Sequence, residues 1–195
     1  MCPESGPNRI GPASATAASR RLPSRSTPDV IRHPRQRDLW IALVIVALDQ
    51  AVKAVVRRQI PLNESVTVIP GFFDLTRVHN TGTAFGFMNA TDFPFKTVIL
   101  ALVAVGALVA LAMYAASLPV DQWLPRTGLA LILGGAAGNL IDRVVDGYVL
   151  DFVDVYWSGW HFWAFNVADA SITVGVALMI LDLMGAGSRH VSRAV

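Results

Sequence analysis

Four stretches of the chain are apolar for long enough to be read as helices crossing a lipid bilayer. Residues 39–56 begin Leu-Trp-Ile-Ala-Leu-Val-Ile-Val-Ala-Leu and are then interrupted by Asp49 and Lys53. Residues 97–116 are uninterrupted, and at about 1.5 Å per residue they cover a hydrocarbon layer of roughly 30 Å. Residues 127–141 are shorter and carry Gly134, Gly135 and Gly138, small residues that let membrane helices approach closely. Residues 165–184 hold Asp169 near the start and Asp182 near the end. Between the first two spans, residues 65–69 and 72–78 flank the turn signal Pro70-Gly71 and predict a small β-hairpin. Between the last two, residues 156–163 are an aromatic cluster suited to a membrane–water interface. Residues 1–38 are rich in Pro, Ser and Arg without an apolar period, and with residues 185–195 they read as polar tails. The expected fold is an all-α membrane protein: four transmembrane helices across residues 39–184, with a β-hairpin or cradle and an aromatic loop on one side.

Composition strengthens that reading. Of 195 residues, 53% are hydrophobic and 15% charged, where a soluble domain carries about 25% charged residues. The net charge is only +2, and no basic stripe with interleaved aromatics points to nucleic acid. The single cysteine, Cys2, excludes an intramolecular disulfide and a cysteine-based metal site. The first tail lacks the apolar centre of a secretory signal peptide. With the N-terminus in the cytoplasm, ten arginines fall inside and four outside, which predicts both termini cytoplasmic and the hairpin and aromatic loop extracytoplasmic.

Ionisable side chains within spans are costly and mark function. Asp49 and Lys53 share a face of the first span. Asn139, Asp142 and Arg143 arrive at the outer end of the third, Asp151 follows in the outer segment, and Asp169 lies about one turn into the fourth. Four segments thus deliver polar groups to one layer. Two aspartates sharing a site do not both ionise readily, so one keeps a proton while the other acts as base. Such a pair can activate water against an amide carbonyl and protonate the leaving amine. Other chemistries fit poorly: His33 and His190 are in the tails, His79 and His161 have no nucleophile at a defined spacing, and zinc and serine-hydrolase motifs are missing. Spacing alone leaves Asp151 and Asp169 open to three readings: a catalytic pair, an ion pathway or a structural network. Asp49–Lys53 and Asp142–Arg143 can each be structural ion pairs, and Asp146 and Asp154 solvated loop charges. An ion pathway needs polar groups through the full depth, and the middle of the second span has none.

Five motifs narrow the choice. In chain order they are Asp49-x-x-x-Lys53; Asn80-Thr81-Gly82-Thr83-Ala84-Phe85-Gly86; Gly134-Gly135-Ala136-Ala137-Gly138-Asn139-Leu140-Ile141-Asp142-Arg143; Val149-Leu150-Asp151-Phe152; and Phe165-Asn166-Val167-Ala168-Asp169. Together, over residues 39–184, the set resembles that of the lipoprotein signal peptidases (signal peptidase II). The resemblance implies an aspartic endopeptidase of the bacterial inner membrane, with its active site toward the extracytoplasmic face. It implies removal of the signal peptide from diacylglyceryl-modified prolipoproteins, with cleavage before the lipidated cysteine. Asp151 and Asp169 match the family's catalytic dyad. Asn80, Gly82, Asn139, Arg143 and Asn166 match residues that shape the site and contact substrate, with Asp49, Lys53, Asp142 and Ala168 supporting. The family resemblance implies no metal or other cofactor, a monomer in contact with membrane lipid, and inhibition by the cyclic peptide globomycin. Val52 and Trp163 depart from the family pattern, where Ser or Thr and Pro are common, and the arginine-rich tail is longer than usual.

Overall fold

The structure, a computed structural model, describes Met1, residues 34–82 and residues 94–191, with side chains for 35–82 and 94–185. The chain divides into two units, Met1–Val30 and Ile31–Val195, and every element below belongs to the second. Most of the two expected tails, Cys2, and residues 83–86 of the second motif lie outside the described residues.

The order of elements is α1 (Pro34–Gln59), β1 (Ser65–Ile69), β2 (Phe73–Asn80), α2 (Lys96–Ser117), α3 (Trp123–Val145), β3 (Val149–Trp157), β4 (Trp160–His161) and α4 (Val167–Val191). All four helices are long and apolar enough to cross a membrane. Their boundaries extend past the apolar runs because polar residues continue the helix at its ends, except that α4 begins at Val167, two residues inside the expected span. The first begins at Pro34 rather than Leu39; proline's fixed φ suits a first turn, where its missing N–H would be unpaired anyway.

The burial pattern is inverted relative to a water-soluble bundle. On α1, Leu43, Val44, Leu48 and Val55 are exposed while Asp49 and Lys53 are fully buried. Lipid makes this arrangement stable, because apolar side chains lose nothing by facing hydrocarbon while charges need partners inside. The centre of the bundle is α3, which packs against each of the other helices. Its glycines explain how: a Cβ at Gly134 would lie under 3.0 Å from the α1 backbone at Ala42, and one at Gly135 equally close to Ala168 and Ser171 of α4. Gly128 of α3 and Gly175 of α4 face each other under the same restriction. At the end away from the sheet, buried Arg126 pairs with Asp38 and donates to the Leu118 carbonyl at 3.1 Å, tying α1, the end of α2 and α3 together.

The strands form one antiparallel sheet in the order β1-β2-β3-β4. The hairpin expected at Pro70-Gly71 is β1–β2, with Gly71 at φ 78. The sheet is larger than expected, for β2 also pairs with β3, placing Val78 opposite Asp151 and Asn80 opposite Val149. The aromatic stretch expected as a loop is partly a second hairpin, β3–β4, turning at Ser158 (φ 51) and Gly159 (φ 80). Two central residues with positive φ match the twist of a two-residue hairpin. Val56, Ile60, Leu150 and Phe152 form a small core where the end of α1 meets β3. Arg77 of β2 donates to the Arg57 and Ile60 carbonyls at 3.1 and 3.3 Å, satisfying acceptors left open at the end of α1 and fixing the sheet on it.

Close helix contact at Gly135 leads to a first expectation. Gly135→Leu forces α3 and α4 apart and lowers stability by about 1–3 kcal/mol or more, as overpacking does. Gly106→Ala on α2, where a Cβ meets nothing within 4 Å, leaves stability unchanged or slightly raised. Thermal unfolding of both variants in one detergent checks the difference.

Candidate active site

The site grows from a polar face on α1. Lys53 has no solvent exposure, and its three ammonium protons meet three acceptors: Asp49 Oδ2 at 2.8 Å, Asp142 Oδ2 at 2.8 Å and Asn139 Oδ1 at 3.0 Å. Gly138 makes room for this, since a Cβ there would stand 2.8 Å from Asp49 Oδ2. The carboxylates then reach outward. Asp49 Oδ1 accepts the Ala168 N–H at 3.0 Å, in the first turn of α4, where exposed amides favour an anion. Asp142 Oδ2 accepts the Leu150 N–H at 3.2 Å, anchoring β3 beside Asp151. Gln50 Nε2 bridges the same pair, donating to Asp142 at 2.9 Å and Asp49 at 3.2 Å.

The start of α4 is a reciprocal cap. The Asp169 N–H donates to Asn166 Oδ1 at 3.0 Å, and Asp169 Oδ2 accepts the Asn166 N–H at 3.3 Å. This is the capping-box arrangement, in which side chains three residues apart satisfy each other's free amides. With its oxygen so committed, Asn166 turns its Nδ2 toward Asp151 Oδ1 at 2.7 Å. Asn80, at the end of β2, donates to the other oxygen of Asp151 at 3.0 Å, and Asn139 donates to Asp169 Oδ1 at 2.8 Å. The segment entering α4 is itself stitched to the sheet, for Phe165 exchanges hydrogen bonds with Val153 at 2.8 and 3.1 Å. One residue, Asn166, therefore connects both carboxyls, donating to Asp151 from its side chain and to Asp169 from its backbone N–H.

Both carboxyls open on a cleft of about 800 Å³. Asn80, Asn139 and Arg143 line its polar end; Phe162, Trp163 and Phe165 form an aromatic wall; Ala104 and Ala107 of α2 with Ile172 and Val176 of α4 form an apolar one. Arg143 is held by the carbonyls of Gly82 at 3.0 Å and Asn139 at 3.3 Å, while the Gly82 N–H donates to Asn80 Oδ1 at 2.9 Å. Burial pushes the Asp151 carboxyl up to about 7, helped by the negative charge of Asp169 and opposed by donation from Asn80 and Asn166 and by the charge of Lys53.

The structure brings every expected site residue into this one network, and it redraws several pairings. Asp142 does not pair with Arg143: adjacent helical residues point about 100° apart, and Asp142 faces Lys53 and Arg57 while Arg143 faces the cleft. Asp146, expected as a solvated loop charge, pairs with Arg57 at 2.5 Å, and Asp154 accepts from His161 at 3.0 Å. His79 stacks on Tyr148 at 3.6 Å, and burial followed by the Arg77 charge lowers its pKa. Gln50 was missed, although an amide in an apolar span is itself a signal. Among the described residues, no group of three or more His, Cys, Asp or Glu could hold a metal ion.

Asp151 on β3 and Asp169 in the first turn of α4 thus face one cleft in a bundle of four helices apolar enough to cross a membrane, which defines the class as a polytopic membrane protein. The family model described as signal peptidase (SPase) II matches residues 41–185. The lipoprotein signal peptidase of Syntrophotalea carbinolica is 44% identical over 78% of this chain and 93% of its own length. That of Geobacter sulfurreducens is 46% identical over 74% and 89%, and that of Pseudomonas aeruginosa 40% over 80% and 92%. A bacterial membrane enzyme structure obtained by the in meso method superposes with a TM-score of 0.70 at 30% identity, covering 79% of this chain and 91% of that one. The chain belongs to the signal peptidase II family.

The raised Asp151 pKa has a thermodynamic consequence. A carboxyl that holds its proton more tightly when folded adds stability that is complete below about pH 4 and is lost as pH rises through about 7. The unfolding temperature in detergent therefore falls over that window. Asp151→Asn, which cannot ionise, removes this contribution, so the variant gains on the wild type as pH rises. Parallel melts at pH 5 and pH 8 measure it.

Proposed function

We propose that Asp151 and Asp169 are the catalytic pair of an endopeptidase that cuts diacylglyceryl-modified prolipoproteins just before the lipidated cysteine. Membership of the signal peptidase II family makes the chain an aspartic membrane peptidase that removes signal peptides from prolipoproteins. The observation that carries the residue assignment is the Asn166 bridge: one amide donates to Asp151 at 2.7 Å, and its residue caps Asp169, with both carboxyls facing a single cleft.

The chemistry follows from two carboxyls sharing one proton. The ionised one takes a proton from water as the oxygen adds to the amide carbonyl carbon. The protonated one donates to the carbonyl oxygen, and a proton then passes to the leaving nitrogen as the C–N bond breaks. A pKa of about 7 lets Asp151 both hold and release a proton near neutral pH. Asn80, Gly82, Asn139, Arg143 and Asn166 hold the scissile segment, while the apolar walls suit the signal peptide and the lipid. Asp49, Lys53, Asp142 and Ala168 support them. The excess of arginine toward the termini supports cytoplasmic termini and a site at the extracytoplasmic face of the inner membrane. On this reading the enzyme works as a monomer among lipids, and globomycin occupies the cleft.

Asp151→Asn and Asp169→Asn are each expected to lower cleavage of a lipidated prolipoprotein in detergent by at least about 10³-fold, because an amide neither accepts nor donates the required proton. Exposed Asp121, in the turn before α3, gives the control: Asp121→Asn retains full turnover. Normal turnover by either dyad variant removes that residue from the mechanism.

A further inference from the structure

We propose that Lys53 is a positioning residue, whose ammonium determines which end of the Asn139 amide faces Asp169. The inference rests on the dyad reading above and deepens it.

Lys53 is wholly buried and is absent from the cleft lining. It stands one side chain removed from the chemistry. An ammonium can only donate, so the atom of Asn139 lying 3.0 Å from Lys53 Nζ has to be the oxygen. Its nitrogen is thereby turned to Asp169 Oδ1, 2.8 Å away. A second donor reinforces the choice, since Asn166 Nδ2 lies 3.2 Å from the same Asn139 oxygen. Asn166 cannot invert either, because its own oxygen caps the Asp169 N–H at 3.0 Å. The polarity of the network is thus set at Lys53 for Asn139 and at the Asp169 N–H for Asn166, and it ends in N–H groups aimed at both aspartates. Without a donor at position 53, the Asn139 oxygen keeps only the longer 3.2 Å contact from Asn166, and the amide is free to rotate by half a turn and present oxygen to Asp169, removing a hydrogen bond and adding repulsion.

Lys53 also neutralises Asp49 and Asp142, so its loss alone unbalances a buried cluster. The test therefore keeps charge balanced. Lys53→Met with Asp49→Asn removes the donor; Lys53→Gln with Asp49→Asn keeps a neutral one. With Lys53→Met the expected outcome is a fall in kcat of about 10²-fold, as misplacement of a reacting group gives, with KM within about twofold. The same Lys53→Met change made in an Asn139→Ala background costs less than about twofold further, because the two residues act in series. The Gln variant retains kcat within about tenfold of wild type and the wild-type pH profile.

Full additivity with Asn139→Ala, or wild-type kcat in the folded Met variant, overturns the proposal. If the Met variant does not fold, the Gln variant decides alone: a loss of about 10²-fold or a displaced pH profile shows that the charge, rather than the orientation, matters. Asp151→Asn assayed alongside separates the two readings. If it is active the dyad is wrong; if it is inactive while the cycle is additive, only the role of Lys53 falls.

Discussion

An ammonium group shut away from water has to be met by acceptors on every proton, and Lys53 is met by three side chains from two helices. Breaking such a buried pair by removing one partner costs about 3–5 kcal/mol, so the arrangement sets hard geometric terms. It requires α1 and α3 to sit at one relative height, with Asp49 opposite a residue lacking a Cβ at 138. It leaves each aspartate further acceptor positions, one of which Asp49 turns to α4 and Asp142 to β3. Three helices and the sheet are thus located from one positive charge. The glycines at 128, 134, 135 and 175 permit the approach that this charge demands.

The helices were legible because lipid imposes a coarse, local rule: a long apolar run with few charges. The β1–β2 hairpin was legible for a similar reason, since Pro70-Gly71 is a turn signal read within a few residues. The pairing of β2 with β3 was not, because it joins Asn80 to Val149 across the whole of α2 and α3, and nothing in either strand names its partner. Neighbouring charges also misled. Asp142 and Arg143 are adjacent in the chain, but a helix turns them to different surroundings, and partner choice is settled by what α1 presents. The motif set led to the residues now gathered around the cleft; it could not disclose that Asn166 begins a helix and joins two carboxyls at once.

The cleft unites two environments that a water-soluble enzyme seldom combines. Its polar end is preorganised by amides whose own partners are fixed. Its walls toward α2 and α4 are small or apolar, continuous with the lipid-facing character of those helices. On the proposed reading, a substrate that is part peptide and part hydrocarbon meets a complementary surface without leaving the membrane, and water is needed only where the aspartates sit.

Position 166 shows how folding and chemistry select from different alphabets. As the residue that begins α4, it needs only a side-chain oxygen, and asparagine, aspartate and serine cap helices about equally well. The contact with Asp151 asks for something else, a donor nitrogen on the same side chain pointing the opposite way, 2.7 Å from a carboxyl oxygen. Aspartate would bring a third carboxyl, and a serine hydroxyl is too short to serve both neighbours. Asparagine alone among these caps offers an acceptor and a donor on a rigid plane, so a site that looks permissive to the helix is restrictive to the enzyme. On the proposed reading, a chain drifting at this position would keep its shape and fall silent.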